Sequence, residues 1–126
     1  RPAGVMSILF QSFGFKRGVP RDADLVFDAR CLPNPHWETT LRPLTGQDAA
    51  VAAFLEKDPR VPALLEHIEG FLQAWIPCFR DEGRSYLTVA IGCTGGQHRS
   101  VYLVERLAEH FRGVEPRVLL SHRELP

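Results

Sequence analysis

The segment Cys93-Thr94-Gly95-Gly96-Gln97-His98-Arg99-Ser100 constrains this chain more than any other. It joins an apolar run, residues 86–92, to a helical pattern that begins near Ser100. A strand that turns on two glycines into a helix leaves several backbone N–H groups aimed at one point, and such a point attracts anions. Arg99 adds a planar fork of donors suited to phosphate or carboxylate. Ser100 sits where an N-cap or first-turn hydroxyl bonds an oxyanion or the orphan amides. The pattern predicts a phosphate-binding loop. The alternative is an ordinary strand-to-helix turn with Cys93 as a small buried residue.

Cys93 and Arg99 are also spaced as Cys-x5-Arg-Ser, the pattern of cysteine-dependent phosphatases. In that reading Cys93 is the nucleophile, Arg99 the phosphate clamp, and Asp28 or His98 the proton donor. A helix N-terminus, Arg99 and a protonated His98 would all favour a thiolate at Cys93. Gly92 stands where such phosphatases usually place a His, which favours binding over cleavage and leaves the expected catalytic set empty.

The rest of the chain reads as an α/β domain. Residues 5–10 and 25–27 are expected strands, both buried, separated by a loop carrying Gly14, Gly18 and Pro20. Residues 30–46 contain Pro33, Pro35 and Pro43, so they form a long ordered loop or flap rather than a helix. Helices are expected over residues 47–57 and 61–82, with Pro77 kinking or breaking the last turn of the second and Cys78 in the core. A further helix follows the glycine loop, and residues 117–120 read as a final strand, which makes the last β-α-β unit parallel and right-handed. The expectation is one domain over residues 1–126: a small, mostly parallel sheet with helices packed on it and the phosphate loop between a strand and a helix.

No apolar run approaches a membrane span, and three cysteines without a Cys-x-x-Cys pair fit a reducing compartment, so the cytoplasm is expected. The formal net charge is zero, so any nucleic-acid binding has to be local. Lys16, Arg17, Arg42 and Arg123 are the candidates for it, against the alternative of a solvated surface of mixed charge. Asp28 follows the second strand and would emerge at the sheet edge where ligands bind in open α/β sheets. His36 and Trp37 place an imidazole beside a large ring, as a flap over a small ligand would. Cys31 with His36 and Cys93 with His98 share Cys-x4-His spacing, but the glycines, Arg99 and Ser100 are better explained by an anion than by zinc. No metal or cofactor is expected.

The chain resembles the C-terminal domain of the RapZ/YvcJ family of bacterial cytoplasmic proteins. The segments that carry the resemblance are Ser12-Phe13-Gly14-Phe15-Lys16, Asp22-Ala23-Asp24-Leu25-Val26-Phe27-Asp28, Leu32-Pro33-Asn34-Pro35-His36, Leu41-Arg42-Pro43-Leu44-Thr45-Gly46 and Ala90-Ile91-Gly92-Cys93-Thr94-Gly95-Gly96-Gln97-His98-Arg99-Ser100. The resemblance implies a non-catalytic domain that senses glucosamine-6-phosphate and binds a small regulatory RNA, presenting it to RNase E. It implies a ligand pocket of Asp28, His36, Cys93, Thr94, Gly95, Gly96, His98, Arg99 and Ser100, and self-association into a homo-oligomer. Family members carry an N-terminal nucleotide-binding domain with its own Gly-rich loop and lysine, and the chain is expected to be the C-terminal domain without it. RNA affinity is expected to be weak, because the lysine/arginine-rich tail of adapter members is replaced here by Arg123-Glu124-Leu125-Pro126.

Overall fold

A computed structural model describes residues 5–126. Four strands, β1 (Ser7–Gly14), β2 (Leu25–Asp28), β3 (Tyr86–Cys93) and β4 (Val118–His122), form one sheet in the order β2-β3-β1-β4. Every pairing in it is parallel. Three helices pack on it: α1 (Ala49–Glu56), α2 (Arg60–Asp81) and α3 (Arg99–Arg112). Two short 3-10 turns, Phe15–Arg17 and Pro35–Trp37, sit in the connections.

Alternation along the strands fixes which face is buried. Ile8 and Phe10 of β1 pair with Leu87 and Val89 of β3, and all four are fully buried. The helices supply the opposite half of the core: Val51 and Leu55 from α1, Ile68, Leu72 and Ile76 from α2, Leu103, Leu107 and Phe111 from α3. Within each helix these recur at four-residue intervals, the spacing of one helix face. Phe10 and Phe111 stack with ring centroids 5.7 Å apart. Each such side chain contributes about 1.5–3 kcal/mol by leaving water.

Several elements differ from the sequence expectation. β1 runs to Gly14 instead of ending at residue 10, because it is a central strand with β3 on one side and β4 on the other. β2 is half-buried rather than buried: as an edge strand it turns Leu25 and Phe27 inward and Val26 and Asp28 outward. Pro77 does not end α2, which continues to Asp81. A proline that close to the C-terminus removes one backbone donor from the final turns, while buried Ile76 and half-buried Phe79 still hold them to the core. Cys78 is exposed rather than in the core, since its neighbours Ile76 and Phe79 occupy the inward positions.

The register places the site. Gly14 at the end of β1 lies opposite Cys93 at the end of β3, and Asp28 at the end of β2 lies opposite Gly92. Three strands therefore finish level, and the loops that leave them share the edge where open α/β sheets bind ligands.

Candidate anion-binding site

Residues 94–98 join β3 to α3, and their shape depends on backbone touching backbone. Gly96 has φ +77°, and a Cβ there would lie 2.5 Å from the Gly14 nitrogen and 2.7 Å from the Phe13 carbonyl carbon. A Cβ on Gly14 would lie 2.6 Å from the Gly95 carbonyl carbon. Only paired glycines let the two loops come this close. Among the described residues, the amides of Gly95, Gly96, Gln97 and His98 have no protein acceptor. They belong to the loop that leads into α3, where the positive end of the helix dipole also favours negative charge.

These amides border a cleft of about 460 Å³, within the ~300–1,000 Å³ typical of small-molecule sites. Residues 93–99 form one wall. Lys16 from the loop after β1, with Asn34, His36, Trp37 and Arg42 from the segment after β2, form the other. Among the described residues no carboxylate lines it.

Arg99 is 3 % exposed and does two things at once. Its Nη1 donates to the carbonyls of Arg30 and Leu32, both at 2.9 Å, and its Nη2 donates to Thr94 Oγ1 at 3.4 Å. Its Nε is buried without a partner among the described residues. The guanidinium thus ties down one end of the 30–46 flap and keeps one buried donor that no described residue accepts. His98 ties down the other end, where Nε2–H donates to the Leu41 carbonyl at 3.2 Å. The Gly46 amide donates to the Gln97 carbonyl at 2.8 Å. The expected flap is therefore fastened to the anion loop at three places.

Burial holds the His98 imidazole below its ordinary pKa of 6.5, against the raising effect of the carbonyls of Leu41, Leu44 and Arg42. A neutral His98 does not supply the positive charge that the phosphatase reading asks of it. The same shift predicts a pH effect. The unfolded chain takes up a proton near pH 6.5 and the native chain only below it, so His98 supports stability fully above pH 6.5 and progressively less as pH falls. Urea midpoints are expected to drop between pH 7.5 and pH 5.5 in the wild type, with a smaller drop in His98→Gln.

Cys93 is 2 % exposed. Its thiol donates to Ser100 Oγ at 3.2 Å and receives the Ser100 amide at 3.4 Å, so these two residues brace each other across the loop. Cys93 and Arg99 line the cleft, whereas Ser100 stands behind it. Asp28 does not line it either. Its carboxylate chelates its neighbour Arg30, with Nε at 3.0 Å and Nη2 at 2.7 Å, and those hydrogen bonds hold its pKa below the usual range. Arg30 in turn lies 3.8 Å over the Phe15 ring. Cys31 is exposed while Cys93 is buried, and among the described residues no group of three or more potential metal ligands comes together.

The four basic candidates divide. Lys16 and Arg42 line the cleft, Arg42 with its Nε on the His36 carbonyl at 2.9 Å. Arg17 is 67 % exposed and pairs with Glu124. Arg123 is held by Glu124 and by the Gly18 carbonyl, at 2.7 Å each. Sequence reasoning did not place Asn34, Gln97, Lys16 or Arg42 at the pocket. Lys16 reaches the cleft because β1 pairs with β3, and no local sequence pattern signals that pairing.

Together these features define a small parallel α/β domain with a glycine loop at a strand-to-helix junction and a cation-lined cleft in front of it. The family model described as RapZ C-terminal domain matches residues 6–126, and the chain belongs to that family. A nucleotide-binding protein of Janthinobacterium sp. is 64% identical over 120 residues, 95% of this chain and 42% of its own length. Another from Methylococcus capsulatus is 61% identical over 123 residues, 98% of this chain and 42% of its own length. A third, from Hahella chejuensis, is 54% identical over 120 residues, 95% of this chain and 42% of its own length. The chain thus spans about two-fifths of the length of the curated relatives it matches.

Proposed function

We propose that the cleft is a sensor site for a sugar phosphate, glucosamine-6-phosphate, and that its cationic rim also binds RNA. One observation carries the reading. A buried guanidinium with an unused Nε–H stands beside four unpaired backbone amides, in a cleft whose described lining holds no carboxylate. A buried cation with only carbonyl and hydroxyl partners is favourable ground for an anion. The phosphate would sit on the loop amides. Trp37 offers a flat apolar face to the sugar ring, and Asn34, Gln97 and Thr94 supply neutral acceptors for its hydroxyl and amino groups.

The relatives' printed name speaks of nucleotide binding. This chain matches only part of their length, and a nucleotide's phosphate is a competing occupant of the same loop. Lys16 and Arg42 line the cleft, so an RNA phosphate held by them and a sugar phosphate draw on the same charges. Sugar phosphate is therefore proposed to weaken RNA binding by competition as well as by any movement of the flap. The proposed further partners are RNase E and other copies of this chain, in the cytoplasm. Among the described residues no helix is long and apolar enough to cross a membrane.

Binding without turnover is the proposed activity, since the Cys93 thiol is engaged by Ser100 and His98 is neutral. Calorimetric titration with glucosamine-6-phosphate, AMP and glucose, alongside a free-phosphate assay, tests this. The expected result is saturable binding of the sugar phosphate, none of glucose and no phosphate release, with Cys93→Ser still folded and still binding. Sustained phosphate release that disappears in Cys93→Ser would replace the sensor with a phosphatase. Gel shifts at low salt that show no RNA bound would remove the RNA half.

A further inference from the structure

Against the glycine loop, outside the cleft lining, lies a carboxylate that the ligand reading does not use. Glu124 comes two residues after β4, and its side chain is only 7 % exposed. Its Oε2 accepts the Gly14 amide at 3.1 Å. Its Cγ lies 2.6 Å from the place a Cβ on Gly96 would take. Glu124 therefore touches both glycines whose contact shapes the loop, one by hydrogen bond and one by packing.

The carboxylate is itself fixed from several directions. Arg123 donates to it through Nε at 2.9 Å and Nη2 at 2.7 Å, and Arg17 approaches to 3.7 Å. Arg123 is anchored in turn by the carbonyls of Gly18 and Gly14, at 2.7 and 3.3 Å, while its own amide donates to the Ser12 carbonyl at 3.0 Å. Burial pushes the Glu124 carboxyl up, but the Gly14 amide and Arg123 bring it net below the ordinary glutamate value, so it is ionised at neutral pH. Those two arginines leave the anion site facing an ion-paired wall rather than a bare negative charge.

We propose that Glu124 is a positioning residue of the anion loop: by gripping the Gly14 amide and backing Gly96, it holds the loop amides converged on the cleft. Arg42 and Lys16 meet the ligand from the front, and Glu124 sets the geometry from behind without touching it. It follows that the segment after β4 is coupled to the cleft, because anything that shifts residue 124 shifts Gly14 and Gly96. The affinity half of this inference rests on the anion reading, whereas the geometric half does not.

Three variants of this chain separate the possibilities. Glu124→Ala removes acceptor and packing, Glu124→Asp keeps the charge but withdraws it from the Gly14 amide, and Glu124→Gln keeps acceptor and volume without the charge. In amide NMR spectra, Glu124→Ala and Glu124→Asp are expected to displace the resonances of Gly14, Gly95 and Gly96 while the core resonances stay in place. Affinity for inorganic phosphate and glucosamine-6-phosphate is expected to fall about fivefold or more in Glu124→Ala, the effect of losing one hydrogen bond's worth of loop order. Glu124→Gln is expected to restore both readouts to within about twofold, which a role limited to global stability would not produce. Glycine resonances unmoved in a folded Glu124→Asp would overturn the proposal, as would a Glu124→Gln protein as impaired as Glu124→Ala. Wild-type protein that binds neither probe, with the glycine resonances still displaced in Glu124→Asp, would leave Glu124 as the positioning residue and remove the anion reading instead.

Discussion

Arg99→Ala is expected to weaken glucosamine-6-phosphate binding by at least about tenfold, because a charged hydrogen bond to a partly buried anion is worth roughly 1.5–3 kcal/mol. It is also expected to destabilise the fold. The carbonyls of Arg30 and Leu32 both lose their Nη1 partner, and each buried acceptor left unsatisfied costs about 1–3 kcal/mol. A net loss of about 3 kcal/mol is expected after partial relaxation of the flap toward water. Arg99→Lys tests whether charge alone suffices. A lysine supplies a cation but not the planar fork, so it is expected to keep part of the anion affinity while failing to hold both carbonyls. Denaturant midpoints and calorimetry on the two variants separate the roles. An Arg99→Ala protein with wild-type stability and wild-type affinity would refute both.

Gly96→Ala is the second large effect. At φ +77° an alanine is strained by about 1–2 kcal/mol, and its Cβ would sit 2.5 Å from the Gly14 nitrogen and 2.6 Å from Glu124 Cγ. Overpacking of that kind adds about 1–3 kcal/mol. Either β1 and the loop separate or the protein unfolds at a lower denaturant concentration. Gly95→Ala is the informative partner. Its backbone is not in the left-handed region, and a Cβ there meets nothing within 4 Å. The new methyl therefore stands in open space beside the cleft, so the fold is expected to keep its stability while the ligand loses room. Equal destabilisation by the two alanines would contradict the close approach of Gly96 to Gly14 and the open space at Gly95.

The loop itself was legible because its signal is local: an apolar run, two glycines, then Arg99 and Ser100 in consecutive order. The helices were legible for the same reason, their apolar positions recurring at helical spacing. What was not legible depends on partners distant in sequence. The parallel register of β1 with β3 brings Lys16 to the cleft, and nothing within ten residues of Lys16 encodes that pairing. The use of Arg99 as a flap anchor requires the carbonyls of residues 30 and 32, about seventy positions away. Asp28 was placed correctly at the strand end, but the chelating Arg30 two residues on turns it to a local ion pair. Cys78 was misplaced by a fraction of a helical turn, enough to exchange inside for outside.

Whether phosphate is held by the loop amides that lead into α3 is decided by following backbone amide NMR resonances during titration with glucosamine-6-phosphate. Saturable shifts are expected at Gly95, Gly96, Gln97 and His98, with the Trp37 indole and the Arg99 side chain moving in parallel and the far ends of the strands unaffected. Shifts centred elsewhere on the domain, or none at saturating ligand, would contradict it.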